Sequence, residues 1–416
     1  MEVTNVDKKA VSMINLAPGI EAIGSHSFHR CINLESVSLP TSLLRIESGA
    51  FTECFSLLSI DLSHTGITYL LPETFNFCFS LASVALPARL ESFGAKCFNS
   101  CRALVSIDLS HTLVTSIPKQ AFFECSKLVS AKLPACLTEI CEASFRTCVE
   151  LPFMDLSHTT IRVIPYRAFN ECYMLEAIHL PATLERIGVD AFKECKALPG
   201  LDLSRTNVSH LDGADEAGAF IECPRLLTMS FPPVLREIGD NVFRLGKTLQ
   251  SLDLSGTLIT SISTQCFLDC KRLESIVLPG SLLSVGDAAF SRCYQLAAMD
   301  LSHTKVRTIG AEAFYGCRSM ASALLPGSLE EIGAWAFAGC KRLASIDLAG
   351  SAWTLGVSRG AFSGCRELMK VSLGPGCRVE AGNAFDDCDA LSEAAAAKGF
   401  GHAWTWLEWR RAVGRN

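Results

Sequence analysis

Residues 34–54 read LESVSLPTSLLRIESGAFTEC, and residues 57–78 read LLSIDLSHTGITYLLPETFNFC. Each stretch places apolar residues two positions apart, as VxL or IxL, which predicts a short β-strand with one buried face. Each stretch then ends on a small residue, Phe, two variable residues and Cys. A strand and a turn of this size cannot bury their own apolar face, so copies must stack on one another.

The Phe of this ending recurs sixteen times, and fifteen copies keep the Cys three residues after it. The gaps alternate between 23 and 24 residues over most of the chain, so the repeating unit is a pair of 47 residues. One gap of 28 residues marks an acidic, glycine-bearing insertion at 212–218, DGADEAG, which is typical of a solvent-exposed loop. The sixteen positions are Phe28, Phe51, Phe75, Phe98, Phe122, Phe145, Phe169, Phe192, Phe220, Phe243, Phe267, Phe290, Phe314, Phe337, Phe362 and Phe385.

The alternation of LxxIxLP with IGxxAFxxC resembles the BspA-type leucine-rich repeat, most clearly at residues 184–195, LERIGVDAFKEC. The LDLSxTxI halves are similar to the general leucine-rich repeat, with Thr65 and its counterparts where that family usually has Asn. The resemblance implies an α/β-type solenoid of about sixteen repeats over residues 11–391. Its parallel β-sheet is expected to be curved, with short helical or 3₁₀ turns on the convex side. Residues 1–10 and 392–416 are then expected to be caps, the second one helical.

Composition and motifs exclude several classes of function. No apolar run reaches the ~18 residues that a transmembrane helix needs, and a net charge of −6 argues against nucleic-acid binding. Residues 246–248, GKT, lack the earlier glycine of a phosphate-binding loop, because position 241 is Asn241. We therefore predict no catalytic, cofactor or metal site and no small-molecule substrate.

The first residues, MEVTNVDKKAVSMINL, carry charges where a secretory signal peptide needs an apolar stretch. This predicts an intracellular protein, although a leader segment could have been removed. The twenty cysteines fit the same expectation, because stacked, parallel side chains suit buried thiols better than disulfides.

One outward-facing strand position is Asp in every LDLS half. Two hypotheses explain this column and are compatible: each Asp caps its own turn, or the carboxylates form an acidic stripe, ~10 Å apart, that binds a partner. His follows three residues later in four of the seven copies, which predicts a solvated edge in preference to a metal site. The seven aspartates are Asp61, Asp108, Asp155, Asp202, Asp253, Asp300 and Asp347.

The equivalent position of the other halves varies and becomes apolar at Val277 and Leu324. Phe153 interrupts a neighbouring column made mostly of Ser, Gly and Ala. Variation on a constant scaffold is where a binding site is expected, although surface variation alone explains it as well. The varying column is Ser38, Ala85, Lys132, His179, Ser230, Val277, Leu324 and Ser372.

The C-terminal segment is basic and aromatic on an otherwise acidic chain, which fits either a cap or a docking segment. The sequence thus predicts a non-enzymatic interaction scaffold that binds one or more protein partners, alone or as part of a multi-subunit complex. The alternative is a cell-surface adhesin or antigen of BspA type that binds host or matrix proteins. The candidate binding residues of this segment are Trp404, Trp406, Trp409, Arg410 and Arg411.

Overall fold

The structure is a computed structural model, and it describes residues 2–3, 10–350, 355–374, 377–379 and 383–396. The chain divides into two compact units, Met1–Leu201 with Arg205–Asn207 and Asp202–Ser204 with Val208–Asn416. Within each unit, a turn of the chain has a long strand, a short strand and a segment that carries the repeated Phe, here named the Phe segment.

The first unit stacks these turns in parallel. Its long strands are Met13–Asn15, Ser36–Ser38, Ser59–Asp61, Ser83–Ala85, Ser106–Asp108, Ser130–Lys132, Phe153–Asp155 and Ala177–His179. Its short strands are Glu2–Val3, Ala22–Ile23, Arg45–Ile46, Tyr69–Leu70, Ser92–Phe93, Ser116–Ile117, Glu139–Ile140, Val163–Ile164 and Arg186–Ile187.

The second unit repeats the same plan, and the long strand Gly200–Asp202 contains the boundary between the units. Its other long strands are Thr228–Ser230, Ser251–Asp253, Ser275–Val277, Ala298–Asp300, Ser322–Leu324, Ser345–Leu348 and Lys370–Leu373. Its short strands are His210–Leu211, Glu237–Ile238, Ser261–Ile262, Ser284–Val285, Thr308–Ile309, Glu331–Ile332, Gly356–Val357 and Arg378–Val379. A helix, Asp389–Ala396, follows the last repeat.

The long strands confirm the predicted parallel sheet. Ser59, Ile60 and Asp61 pair with Ser83, Val84 and Ala85 of the next turn. Ile60 is buried while its two neighbours in the strand are exposed, as the two-residue periodicity requires. The short strands form a second parallel ladder, which the sequence analysis did not separate from the first.

The Phe segments differ from the expected helical or 3₁₀ turns. Around Phe192, the backbone of Asp190 and Glu194 has positive φ values of 55° and 57°, and the same two positions recur in most turns. A left-handed residue breaks a helix and rotates the next peptide plane. Alternate amides therefore bond to the adjacent turn: the Phe28 amide donates to the Ala50 carbonyl at 2.9 Å.

The core is a column of phenylalanine rings with a column of thiols beside it. Ring centroids of successive Phe residues lie 5.0 to 5.6 Å apart in the first unit, as for Phe28 and Phe51 at 5.0 Å and Phe169 and Phe192 at 5.6 Å. Each of these first-unit side chains is fully buried, which contributes about 1.5–3 kcal/mol per ring. The thiol of Cys78 donates to the Phe51 carbonyl of the preceding turn at 3.1 Å. This contact recurs along both units, so the Cys column ties each turn to its neighbour.

The insertion forms a two-stranded antiparallel hairpin, Gly213–Ala214 with Ala217–Gly218. Asp215 and Glu216 are exposed at its tip, as expected for a solvent loop. At its base the Ala219 amide donates to the Asp212 carbonyl at 3.2 Å, after which the normal Phe segment resumes.

Candidate protein-interaction surface

The aspartates predicted from the sequence lie at or next to the end of alternate long strands, and all are exposed except Asp155, which is partly exposed. In the first unit, the strand Ser83–Ala85 lies between those of Asp61 and Asp108. At ~4.8 Å per strand, the two carboxylates are therefore ~10 Å apart. We name the seven aspartates the Asp column.

Each Asp of the column caps the turn that follows its strand. Oδ1 of Asp108 accepts hydrogen bonds from the Ser110 amide at 3.0 Å and from the Ser110 hydroxyl at 2.6 Å. In the second unit, Asp300 does the same with Ser302 at 2.9 and 2.6 Å. These bonds favour the ionised carboxylate and lower the pKa of both side chains below the ordinary value of 3.8. The predicted turn-capping geometry is present in the structure.

The histidine of the motif bonds to the backbone of the preceding turn. The Ser110 amide, one residue before His111, donates to Asp108. The Nε2 atom of His111 donates to the Leu86 carbonyl at 3.1 Å. His64, His158 and His303 make the same contact at 2.8 to 3.0 Å.

The threonine satisfies the carbonyl of Leu62, the residue that directly follows the strand Ser59–Asp61. In the parallel register of this sheet, the Leu62 carbonyl faces Pro87, which has no amide hydrogen to donate. The Thr65 amide and hydroxyl donate to it instead, at 3.0 and 2.7 Å. The residues Asp, Ser, His and Thr of this motif therefore close the hydrogen bonds that the sheet leaves open where the chain turns.

The varying column lies between members of the Asp column. Lys132 pairs with Asp108 across the strands, and its Nζ atom lies 3.5 Å from Oδ2 of that carboxylate. His179 pairs with Asp155, and its ring also meets the edge of Phe153, with ring centroids 5.0 Å apart. Phe153 is 41% exposed, so this aromatic pair stands on the surface of the first unit.

In the second unit the same column becomes apolar at Val277 and Leu324. Val277 pairs with Asp253 and Leu324 pairs with Asp300, and their side chains are 49% and 55% exposed. This part of the surface alternates carboxylates with exposed aliphatic side chains. Such a pattern suits a protein partner better than a small solute, because apolar side chains gain by being covered.

Several predicted features lie in parts of the chain that the structure does not describe. Trp404, Trp406, Trp409, Arg410 and Arg411 lie outside the described residues, as do the C-terminal part of the expected cap and most of residues 1–10. Within the described ranges, no group of three His, Cys, Asp or Glu residues could hold a metal ion. No helix in that part of the chain is long and apolar enough to cross a bilayer.

Sequence reasoning missed the role of the histidines. Their acceptor is a backbone carbonyl 25 residues earlier, which no local spacing reveals. A signal was nevertheless present, because the acceptor is always the Leu before Pro, as in Leu39 and Leu86.

Each of these units is a parallel β-solenoid, which defines the protein as a stacked-repeat protein. The sequence pattern of the BspA type leucine rich repeat region matches residues 7–115, 93–213, 216–307 and 301–400. The chain therefore belongs to the BspA-type leucine-rich repeat family.

One solved structure supports this fold, and two others are more distantly similar. A leucine-rich repeat protein from Bacteroides ovatus is 26% identical, with 81% of this chain and 86% of that chain covered and a TM-score of 0.67. A leucine rich cell surface protein from Faecalibacterium prausnitzii is 19% identical, with 99% and 94% covered and a TM-score of 0.42. The pneumococcal vaccine antigen PcpA is 14% identical, with 91% and 92% covered and a TM-score of 0.34. A comparison with curated proteins finds no match.

Proposed function

We propose that this protein is a non-enzymatic interaction scaffold that holds a protein partner on its long-strand surface. The observation that carries the proposal is the way in which the carboxylates of the Asp column are fixed. Oδ1 of Asp155 is held by the Ser157 amide and hydroxyl at 2.9 and 2.7 Å, so the side chain is already ordered before a partner arrives. An ordered group loses little conformational entropy on binding.

The chemistry of the surface indicates the chemistry of the partner. Carboxylates at every second strand attract Lys and Arg side chains, and exposed Val277 and Leu324 favour apolar contacts between them. The partner is therefore expected to present basic and aliphatic side chains in alternation. The same arrangement suits a subunit of a larger complex.

The cellular location belongs to the same proposal. We place the protein inside the cell, because thiols such as Cys78 must stay reduced to donate their hydrogen bonds. The alternative is a cell-surface adhesin that binds host or matrix proteins, which membership of the BspA-type family favours. Imaging of a tagged copy in its native cell separates the two, since the scaffold is expected inside and the adhesin on the surface.

The test of binding uses a triple variant, Asp155→Asn, Asp202→Asn and Asp253→Asn. Asn keeps an oxygen that can accept the Ser amide bond but loses the charge, so the circular dichroism spectrum should not change. The matched control is Glu139→Gln, Glu237→Gln and Glu331→Gln, which removes the same charge from exposed positions of the short strands. Partners captured from the native cell are compared by quantitative mass spectrometry.

The expected result is a loss of captured partner with the Asp variant and normal capture with the Glu variant. Equal capture by the two variants and the parent chain would leave the Asp column with its turn-capping role alone. Equal loss in both would show that net charge, and not this surface, governs capture.

A further inference from the structure

The second unit has a cavity of about 320 Å³ that is lined by residues in and just after its Phe segments, none of which belongs to a long strand. Gly316 and Gly339 form its floor, in two successive turns. Its walls are the side chains of Arg292, Tyr294, Tyr315, Arg318 and Lys341.

The two glycines are what opens this cavity. They stand two residues after Phe314 and Phe337, at a left-handed position with φ values of 71° and 70°. Other turns hold the same conformation with side-chain-bearing residues, such as Glu171 at 61°. Glycine is therefore not needed for the backbone here; it removes the side chains that fill this place in other turns.

The walls carry uncompensated positive charge. Arg292 forms an ion pair with Asp269, with 3.6 Å between the nearest charged atoms. Among the described residues, no carboxylate lies within ion-pair distance of Arg318 or Lys341. The Arg318 guanidinium instead lies over the Tyr294 ring, 4.8 Å from its centroid. The chain as a whole carries a net charge of −6, so this group of cations is opposite in sign to the net charge of the protein.

We propose that this cavity binds an acidic peptide segment of a partner protein. Arginine offers paired N–H donors that match a carboxylate, and clusters of arginine are a known means of reading acidic motifs. Lys341 adds a further positive charge, and the two tyrosines add hydroxyl groups and ring surface that can cover the aliphatic part of a Glu side chain.

A peptide fits better than a long polyanion such as a sulfated glycan. Further along the stack, Arg366 is already paired with Asp389, with 3.8 Å between the nearest charged atoms. Asp386 and Asp387 lie in the same turn as Asp389. A uniformly charged polymer that continued in this direction would meet these carboxylates. The favourable region is short and mixes cations with aromatic rings. This site goes beyond the proposed function, because its lining residues lie outside the long strands and it takes a ligand of opposite charge.

The test measures binding of a fluorescein-labelled oligoglutamate peptide to the full chain by fluorescence anisotropy. The double variant Arg318→Glu and Lys341→Glu reverses the wall charges and should weaken binding by roughly tenfold or more. Arg89→Glu with Lys127→Glu makes the same charge change at exposed positions of the first unit and should leave the affinity within about twofold. The Asp column triple variant should also bind normally, which separates this site from the proposed function.

A third variant tests the shape of the cavity without changing its charge. Gly339→Asn keeps a left-handed backbone accessible and fills the floor, so it should weaken peptide binding. Unchanged peptide binding by Gly339→Asn, or equal losses in the two charge-reversal variants, would overturn the proposal. The proposal would also be overturned if a sulfated oligosaccharide bound more tightly than the peptide and if Gly339→Asn did not change its affinity. That result would indicate a general polyanion-binding surface.

Discussion

Leu86 and His111 lie in consecutive turns of the first unit, and the imidazole Nε2 of His111 donates a hydrogen bond to the Leu86 carbonyl at 3.1 Å. The neighbouring Ser110 amide donates to Asp108, so Asp108 and His111 together complete the hydrogen bonds at this turn. In the sequence, Asp and His at a fixed spacing suggest catalysis or metal binding. In the structure, the same residues complete the hydrogen bonds where a strand ends. The His111 bond also joins one repeat to the next.

His111→Ala should lower the free energy of unfolding by about 0.5–1.5 kcal/mol, because the Leu86 carbonyl loses its donor. His179→Ala makes the same change at a mostly exposed histidine whose nearest acidic atom is 4.0 Å away. That control should cost less than half as much. Urea unfolding followed by circular dichroism measures both, and equal midpoints for the two variants would contradict the strand-ending role.

Acid should destabilise the fold through the Asp column. The pKa values of Asp61, Asp108 and Asp155 lie below 3.8 in the folded chain because Ser donors stabilise the ionised form. Their contribution is complete above the unfolded value and disappears as the pH falls through the folded one. The thermal midpoint should therefore fall between about pH 5 and pH 3.

The variant Asp61→Asn, Asp108→Asn and Asp155→Asn keeps the acceptor oxygens but cannot titrate. Its thermal midpoint should fall less steeply over the same pH range. A slope identical to that of the parent chain would assign the acid sensitivity to other carboxylates.

Phe169→Ala should cost about 3–5 kcal/mol, because the ring is fully buried between Phe145 and Phe192 and its loss leaves a cavity. Phe153→Ala removes the same ring from a surface position that is 41% exposed, so its effect on unfolding should be small. Denaturant midpoints for the pair compare the core with the surface. Similar losses would show that Phe153 supports the fold and would weaken its candidacy as a contact residue.

Most thiols should resist modification in the native chain. Burial raises the pKa of Cys172, Cys270 and Cys317 to about 12, so these groups are scarcely ionised at pH 8. Cys136 is exposed and Cys141 is partly exposed. Titration with a chromogenic disulfide should consume these two first and all twenty only after unfolding. Rapid reaction of many thiols in the native state would contradict the buried column.

The sequence predicted what repeats at a fixed period. The positions of Phe51 and Phe75 determined the stacking, since identical spacing gives identical surroundings in every turn. The capping of Ser110 by Asp108 was predictable because donor and acceptor are two residues apart.

Features that depend on the neighbouring turn were not predictable in this way. Pairs such as Arg45 and Ile46 are too short to show a strand period, so the second ladder was missed. Small residues before Phe, as in Ala191, favour a helix locally, whereas hydrogen bonds to the adjacent turn impose left-handed residues instead. The cavity above Gly339 depends on what the stacked turns place beside it.

The hairpin at residues 212–218 shows how this architecture grows. The hydrogen bond from the Ala219 amide to the Asp212 carbonyl joins the two ends of the hairpin. The regular repeat resumes at Phe220. Extra residues inserted there project from the stack and do not change the distance between successive turns. Such a point is a natural place for descendants of this gene to acquire new appendages, and a practical one for grafting a foreign peptide.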